Sequence, residues 1–154
     1  MSWVWSFDLL SHVNMIALVM LGCASLLAVF FVFIFRQKRQ AYLLAWAAGW
    51  LLIAIRFLTP AFTAGGIQHA WYRSANSWFL AAAAIAFYSS ARLYARVNFQ
   101  WRAVVASVAA AAIWAVAYSQ GWVGAPLELG VALLFLLVAR TFWQEAQKQE
   151  SRAD

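Results

Sequence analysis

The chain has 154 residues, of which 66% are hydrophobic and only 10% charged. A soluble domain carries about 25% charged residues. So few charges cannot cover so much apolar side chain in water, which excludes an ordinary soluble globule and leaves lipid as the solvent. The net charge of +6 does not point to nucleic acid, because the basic residues sit in short clusters between apolar runs, as in cytoplasmic loops beside anionic lipid.

In chain order, residues 9–35 carry no charge and are long enough to cross a hydrocarbon core of about 30 Å with some tilt. Cys23 lies inside this run; a lone cysteine allows no disulfide within the chain, and it is expected to be a buried, inert thiol. The basic turn RQKRQ ends the span. A second span is expected over 41–58, ended by Thr59 and Pro60. Residues 59–77 read as a polar, glycine-containing segment. A third span over 78–95 is the weakest, because it contains Ser89, Ser90 and Arg92. A fourth, rich in alanine, covers 103–119, and a fifth covers 123–142 with Glu128 inside it. Residues 143–154 form a polar, helix-prone tail.

Backbone polar groups in lipid must be satisfied within the segment, so these spans are helices. Alternating segments of about ten residues, the mark of a barrel, do not occur. The expectation is an all-α integral membrane bundle of about five transmembrane helices in one membrane domain. Placing RQKRQ in the cytoplasm puts nine of the eleven basic residues inside and leaves Arg56 and Arg73 near the outer face. The N-terminus is then outside and the C-terminus inside. Trp3, Trp5, Trp71, Trp78 and Trp122 fall at the outer interface, and Trp101 and Trp143 at the inner one.

FIFRQKRQAYLLAW and SSARLYARVNFQWRAVV share an apolar exit, basic residues and an aromatic re-entry, and LVARTFWQEAQKQESRAD begins a third copy. A copy that stops at Asp154 suggests further chain, although loops obeying one charge rule resemble each other anyway.

Arg56 and Glu128 lie at similar depth, about 6–8 Å below the outer ends of spans two and five. A charge inside a span is usually paired or faces a cavity. His12 and Asn14 on span one could complete an outward-facing polar cluster with them, or could instead make ordinary interhelical hydrogen bonds. Tyr42, Trp46, Gly49, Trp50 and Ile53 form a stripe on span two. Ala45 and Gly49 are a small-xxx-small pair that permits close approach, so Ala45, Gly49, Trp46 and Trp50 read as a packing face. Ala109 to Ala112 offer the same on span four. No catalytic, phosphate-binding or metal-binding motif is present. Only two histidines exist, His12 and His69, so no haem or other cofactor is expected. The chain reads as a non-enzyme. In the tail, Glu145 and Lys148 sit one turn apart.

The stretch FRQKRQAYLLAWAAGWLLIAIRFL, with Arg36, Arg39, Tyr42, Leu43, Trp46, Ala47, Gly49, Trp50 and Arg56, resembles the N-terminal membrane regions of bacterial sensor histidine kinases and GGDEF diguanylate cyclases. The resemblance is best over the first 58 residues. It implies a sensory input module in the bacterial inner membrane, a homodimer or part of a larger complex, coupled to a cytoplasmic signalling domain that these residues do not contain. The rival expectation is an accessory or scaffold subunit packed within a photosynthetic or respiratory type of membrane complex. A small transporter is a weaker third reading, because no broken helix interrupts a span.

Overall fold

The computed structural model describes residues 3–62, 70–96, 101–119 and 125–150, with side chains in the first helix from residue 15 onward. All regular structure within them is helical: α1 (Trp3–Lys38), α2 (Ala41–Phe62), α3 (Ala70–Tyr94), α4 (Trp101–Ser119) and α5 (Ala125–Glu150). Among the described residues, three stretches are long and apolar enough to cross a membrane: Met15–Lys38, Ala41–Leu58 and Trp101–Tyr118, with mean hydropathies of 2.8, 1.8 and 1.5.

Several boundaries differ from the sequence expectation. α2 runs through Pro60 to Phe62. Proline lacks the N–H that would bond the carbonyl of Arg56, yet it sits in the last turn, where a lost bond is least disruptive. α3 begins at Ala70, so residues 70–77 are helix rather than loop. α5 continues unbroken to Glu150, without a break between span and tail. Just past the ends of α1 and α3 stands an arginine with positive φ, Arg39 (49°) and Arg96 (53°) respectively. That conformation closes a helix end and usually goes to glycine. Here Arg39 N–H bonds the Phe35 carbonyl at 2.7 Å.

The hub is α3, which packs against α2, α4 and α5; among the described residues α1 packs against α2 alone, and α4 and α5 barely meet. α2 and α3 are antiparallel and joined near both ends. Ser90 Oγ donates to the Tyr42 carbonyl at 2.7 Å, and Arg56 Nε donates to Asn76 Oδ1 at 3.0 Å. α3 and α5 are parallel, since Phe87 meets Phe135 and Tyr94 meets Phe142 at the same offset along the chain. Ser74 Oγ donates to the Ala115 carbonyl and ties α3 to α4.

The basic turns therefore gather at one end of the bundle, hereafter the basic end. It carries Arg36, Lys38 and Arg39 with Arg92, Arg96, Arg102, Arg140 and Lys148. Trp101 and Trp143 are largely exposed there.

Small side chains fill the interior. Ala83, Ala84 and Ala91 on α3 are completely covered, and so is Ser90. Two clusters form around this helix. One joins Ala81, Ala84 and Ile85 to Ala111 of α4 and Val131 of α5. The other joins Ala83, Phe87 and Ala91 to Val138, with Trp46 and Trp50 packed against them. Outside, Leu26, Ile113 and Leu129 are 72%, 71% and 70% exposed. Alanine inside and leucine, isoleucine and phenylalanine outside reverse the distribution favoured in water. It suits hydrocarbon, where association rests on close backbone approach, dispersion and hydrogen bonds rather than on removing apolar area from water.

Cys23 is exposed, not buried. α1 has one neighbour, so only a narrow stripe containing Ala17, Ala24 and Ala28 is covered, and Cys23 lies off it.

Candidate functional site

At the end of the bundle opposite the basic turns, α2, α3, α4 and α5 converge around a cavity of about 180 Å³. α2 brings Arg56, α3 brings Asn76 and Ser77, α4 brings Tyr118, and α5 brings Glu128. Arg56 is half-buried and holds Asn76 through the Nε bond. Its guanidinium carbon also lies 5.8 Å from the centroid of the Phe57 ring. Tyr72 stands one helical turn before Asn76, close enough to feel the charge of Arg56.

Glu128 sits in the first turn of α5. A carboxylate there is favoured by the unpaired N–H groups of the helix start. It is exposed at the rim of the cavity. Arg56 and Glu128 thus line one cavity, but the ion pair among the described residues is Lys148 with Glu145, at 3.3 Å. The side chains of His12 and Asn14 lie outside the described residues, as does His69 altogether.

Asn76, Tyr118 and Tyr72 escaped the sequence reading. Asn76 and Tyr72 fell in a stretch read as loop, and Tyr118 at the edge of a span. The signal that finds Asn76 is hairpin geometry: in antiparallel helices, residues equally far from the turn face each other. Asn76 is the polar residue that this rule sets opposite Arg56.

The stripe on α2 faces α3. Gly49 is buried so closely against Phe87 that a Cβ there would stand 2.6 Å from the ring. Trp46 lies 4.9 Å from Phe87 and stacks on Phe31 of α1 at 5.4 Å, centroid to centroid. Trp50 meets Phe87 edge-on at 5.5 Å. Ala45 is half-buried. In the alanine run of α4, Ala111 is covered by α3 while Ala109 and Ala110 are exposed.

The basic end holds a wider cleft of about 760 Å³, walled by Tyr42, Tyr94 and Arg96 with Glu145 and Lys148 of α5. Among the described residues, no three of His, Cys, Asp or Glu converge as a metal site would require.

The cavity at Arg56 offers one guanidinium, one amide, one hydroxyl, one phenol and one carboxylate. That set can orient a small polar or charged solute, or couple four helices through hydrogen bonds. Comparison with known proteins finds no matching family model, no matching curated protein and no matching solved structure.

Proposed function

We propose that this chain is a non-catalytic sensory membrane region of a bacterial signalling protein. Five helices cross the cytoplasmic membrane with the N-terminus outside and the basic turns inside. A stimulus at the outer polar cavity displaces α5, and α5 passes the movement to a cytoplasmic effector. For this to work, the stimulus must favour one helix packing over another. Unbroken continuity of α5 is the observation that carries the reading. One helix lines the outer cavity with Glu128 and ends beside the basic cleft with Glu145 and Lys148. Its packing on α3 rests on aromatic contacts and small residues.

Spin labels at positions 40 and 147, in a Cys23→Ala background in lipid nanodiscs, test it. Glu128→Gln and Arg56→Gln are each expected to shift the distance distribution between the labels. Distributions that stay superimposable for both variants would refute coupling along α5.

A second reading, an accessory subunit of a larger membrane complex, is favoured by the small-residue face that α4 leaves uncovered at Ala109 and Ala110. Mild-detergent extraction from native membranes separates the two. A subunit travels at constant stoichiometry with large partners and loses them when Ala110 is replaced by Trp.

A further inference from the structure

α4 and α5 both lean on α3 but stand apart from each other, which leaves a furrow between them. Toward the outer side it is an apolar groove of about 420 Å³, floored by Ala81 and Ile85 and walled by Trp114 and Gly130. Through Ile85, Ser107 and Leu134 it runs into a second hollow, of about 180 Å³, that reaches Tyr88 and Arg92. Tyr88 and Arg92 in turn belong to a third, of about 220 Å³, lined by Arg140, Thr141, Glu145 and Lys148. The furrow is thus apolar at one end and net basic at the other, where three cations face one carboxylate, that of Glu145, which pairs with Lys148.

We infer that this furrow binds one anionic phospholipid, with its phosphate among Arg92, Arg140 and Lys148 and an acyl chain laid along the α4–α5 groove. Length supports it. From Gly130 to Arg140 the furrow follows about 15 Å of α5 at roughly 1.5 Å per residue, which is half of a hydrocarbon core of about 30 Å. The furrow therefore has the depth of a single leaflet. Charge supports it too. Basic hollows between helices at the headgroup level favour anionic lipid heads. Arg92 is positioned for this by Tyr88, whose hydroxyl accepts from Nη1 at 3.3 Å. A helix from a second copy suits the furrow less. Symmetric pairing about the membrane normal would set like-charged basic ends together. Free phosphate would leave the apolar length without a role.

The inference rests on the bilayer reading but not on the signalling reading. The test is native mass spectrometry of the full chain in mild detergent, offered phosphatidylglycerol and phosphatidylcholine with identical acyl chains. The wild type is expected to retain one phosphatidylglycerol in preference to phosphatidylcholine. Arg92→Gln and Arg140→Gln should each reduce that preference by roughly fivefold. Gly130→Phe should reduce retention of both lipids, because that position opens on empty space within the groove and the new ring occupies it. A control that removes charge elsewhere on the same end, Arg36→Gln with Lys38→Gln, should leave the preference intact. Glycerol phosphate at matched ionic strength should show no comparable binding.

Equal retention of the two lipids overturns the proposal, as does an equal loss in the control. So does a dimer mass that Gly130→Phe abolishes, because the groove would then belong to a second copy. Circular dichroism confirms that each variant stays helical. If Arg140→Gln fails to fold, Gly130→Phe still decides the acyl half. A chain that fails to float with liposomes at all would instead defeat the bilayer reading.

Discussion

Gly49 and Gly130 both lie within helices, and their surroundings call for opposite responses to the same substitution. A methyl at Gly49 would stand 2.6 to 2.9 Å from three ring carbons of Phe87. Phe87 is itself buried and held by Trp46, Trp50 and Phe135. It cannot swing away without disturbing α5. Gly49→Ala is therefore expected to destabilise the bundle by about 1–3 kcal/mol, the usual cost of overpacking. A methyl at Gly130 meets nothing within 4 Å. Gly130→Ala is expected to stabilise by about 0.5–1 kcal/mol through the backbone entropy of glycine. Unfolding by denaturing detergent, followed by circular dichroism, measures both. Equal effects would mean that the close α2–α3 contact is not what fixes Gly49.

Ser89 and Ser90 carry a related lesson at the same scale. In the sequence they weaken the third span, since a hydroxyl lowers hydropathy wherever it lies. In the folded chain both are buried, and each has a partner: Ser89 donates to the Ile85 carbonyl, and Ser90 to that of Tyr42. The hydroxyls that lower the hydropathy of α3 are tolerated because α3 is the helix its neighbours cover most. Hydropathy alone cannot report this, because it does not know which helix will be surrounded.

Among the elements, the pairing of α2 with α3 is the best-defined interface, clamped by Ser90 with Tyr42 near one end and by Arg56 with Asn76 near the other. A double-mutant cycle over Arg56→Gln and Asn76→Ala is expected to show coupling of about 1 kcal/mol, in the range of interhelical polar pairs. A second cycle, over Arg56→Gln and Glu128→Gln, is expected to be nearly additive, because Glu128 is exposed at the rim, where water screens the pair. Strong coupling in the second cycle and none in the first would reverse that assignment. The existence of helices near 9–35, 41–58 and 103–119 was legible from apolar run length. Ends were less so. The break at Pro60 and the glycine pair at 65–66 suggested a loop as far as Ser77. Nothing in residues 70–77 announces a helix, because its polar side chains are not arranged by lipid. They are arranged by α2 and α4, through Asn76 and Ser74. The same blindness hid Asn76, whose role depends on which residue the hairpin sets opposite Arg56.

For the whole molecule, the decisive property is the separation of charge along the bundle axis. Eight described basic residues lie at one end of the fold, and Lys and Arg in short loops stay on the cytoplasmic side during insertion. The five helices alternate in direction from α1 to α5, so fixing the side of one turn fixes all the others. That makes orientation testable with two positions. In a Cys23→Ala background, Lys38→Cys is expected to resist a membrane-impermeant thiosulfonate applied to intact spheroplasts and to react only after permeabilisation. Ser77→Cys, which lines the outer cavity beside Asn76, is expected to react at once. Protection of position 77 with labelling of position 38 would invert the bundle, and the polar cavity would then face the cytoplasm. Prompt labelling of both would mean that the helices between them do not cross the membrane. The exposed leucine and isoleucine of α1, α4 and α5 would then need a protein partner instead of lipid to cover them.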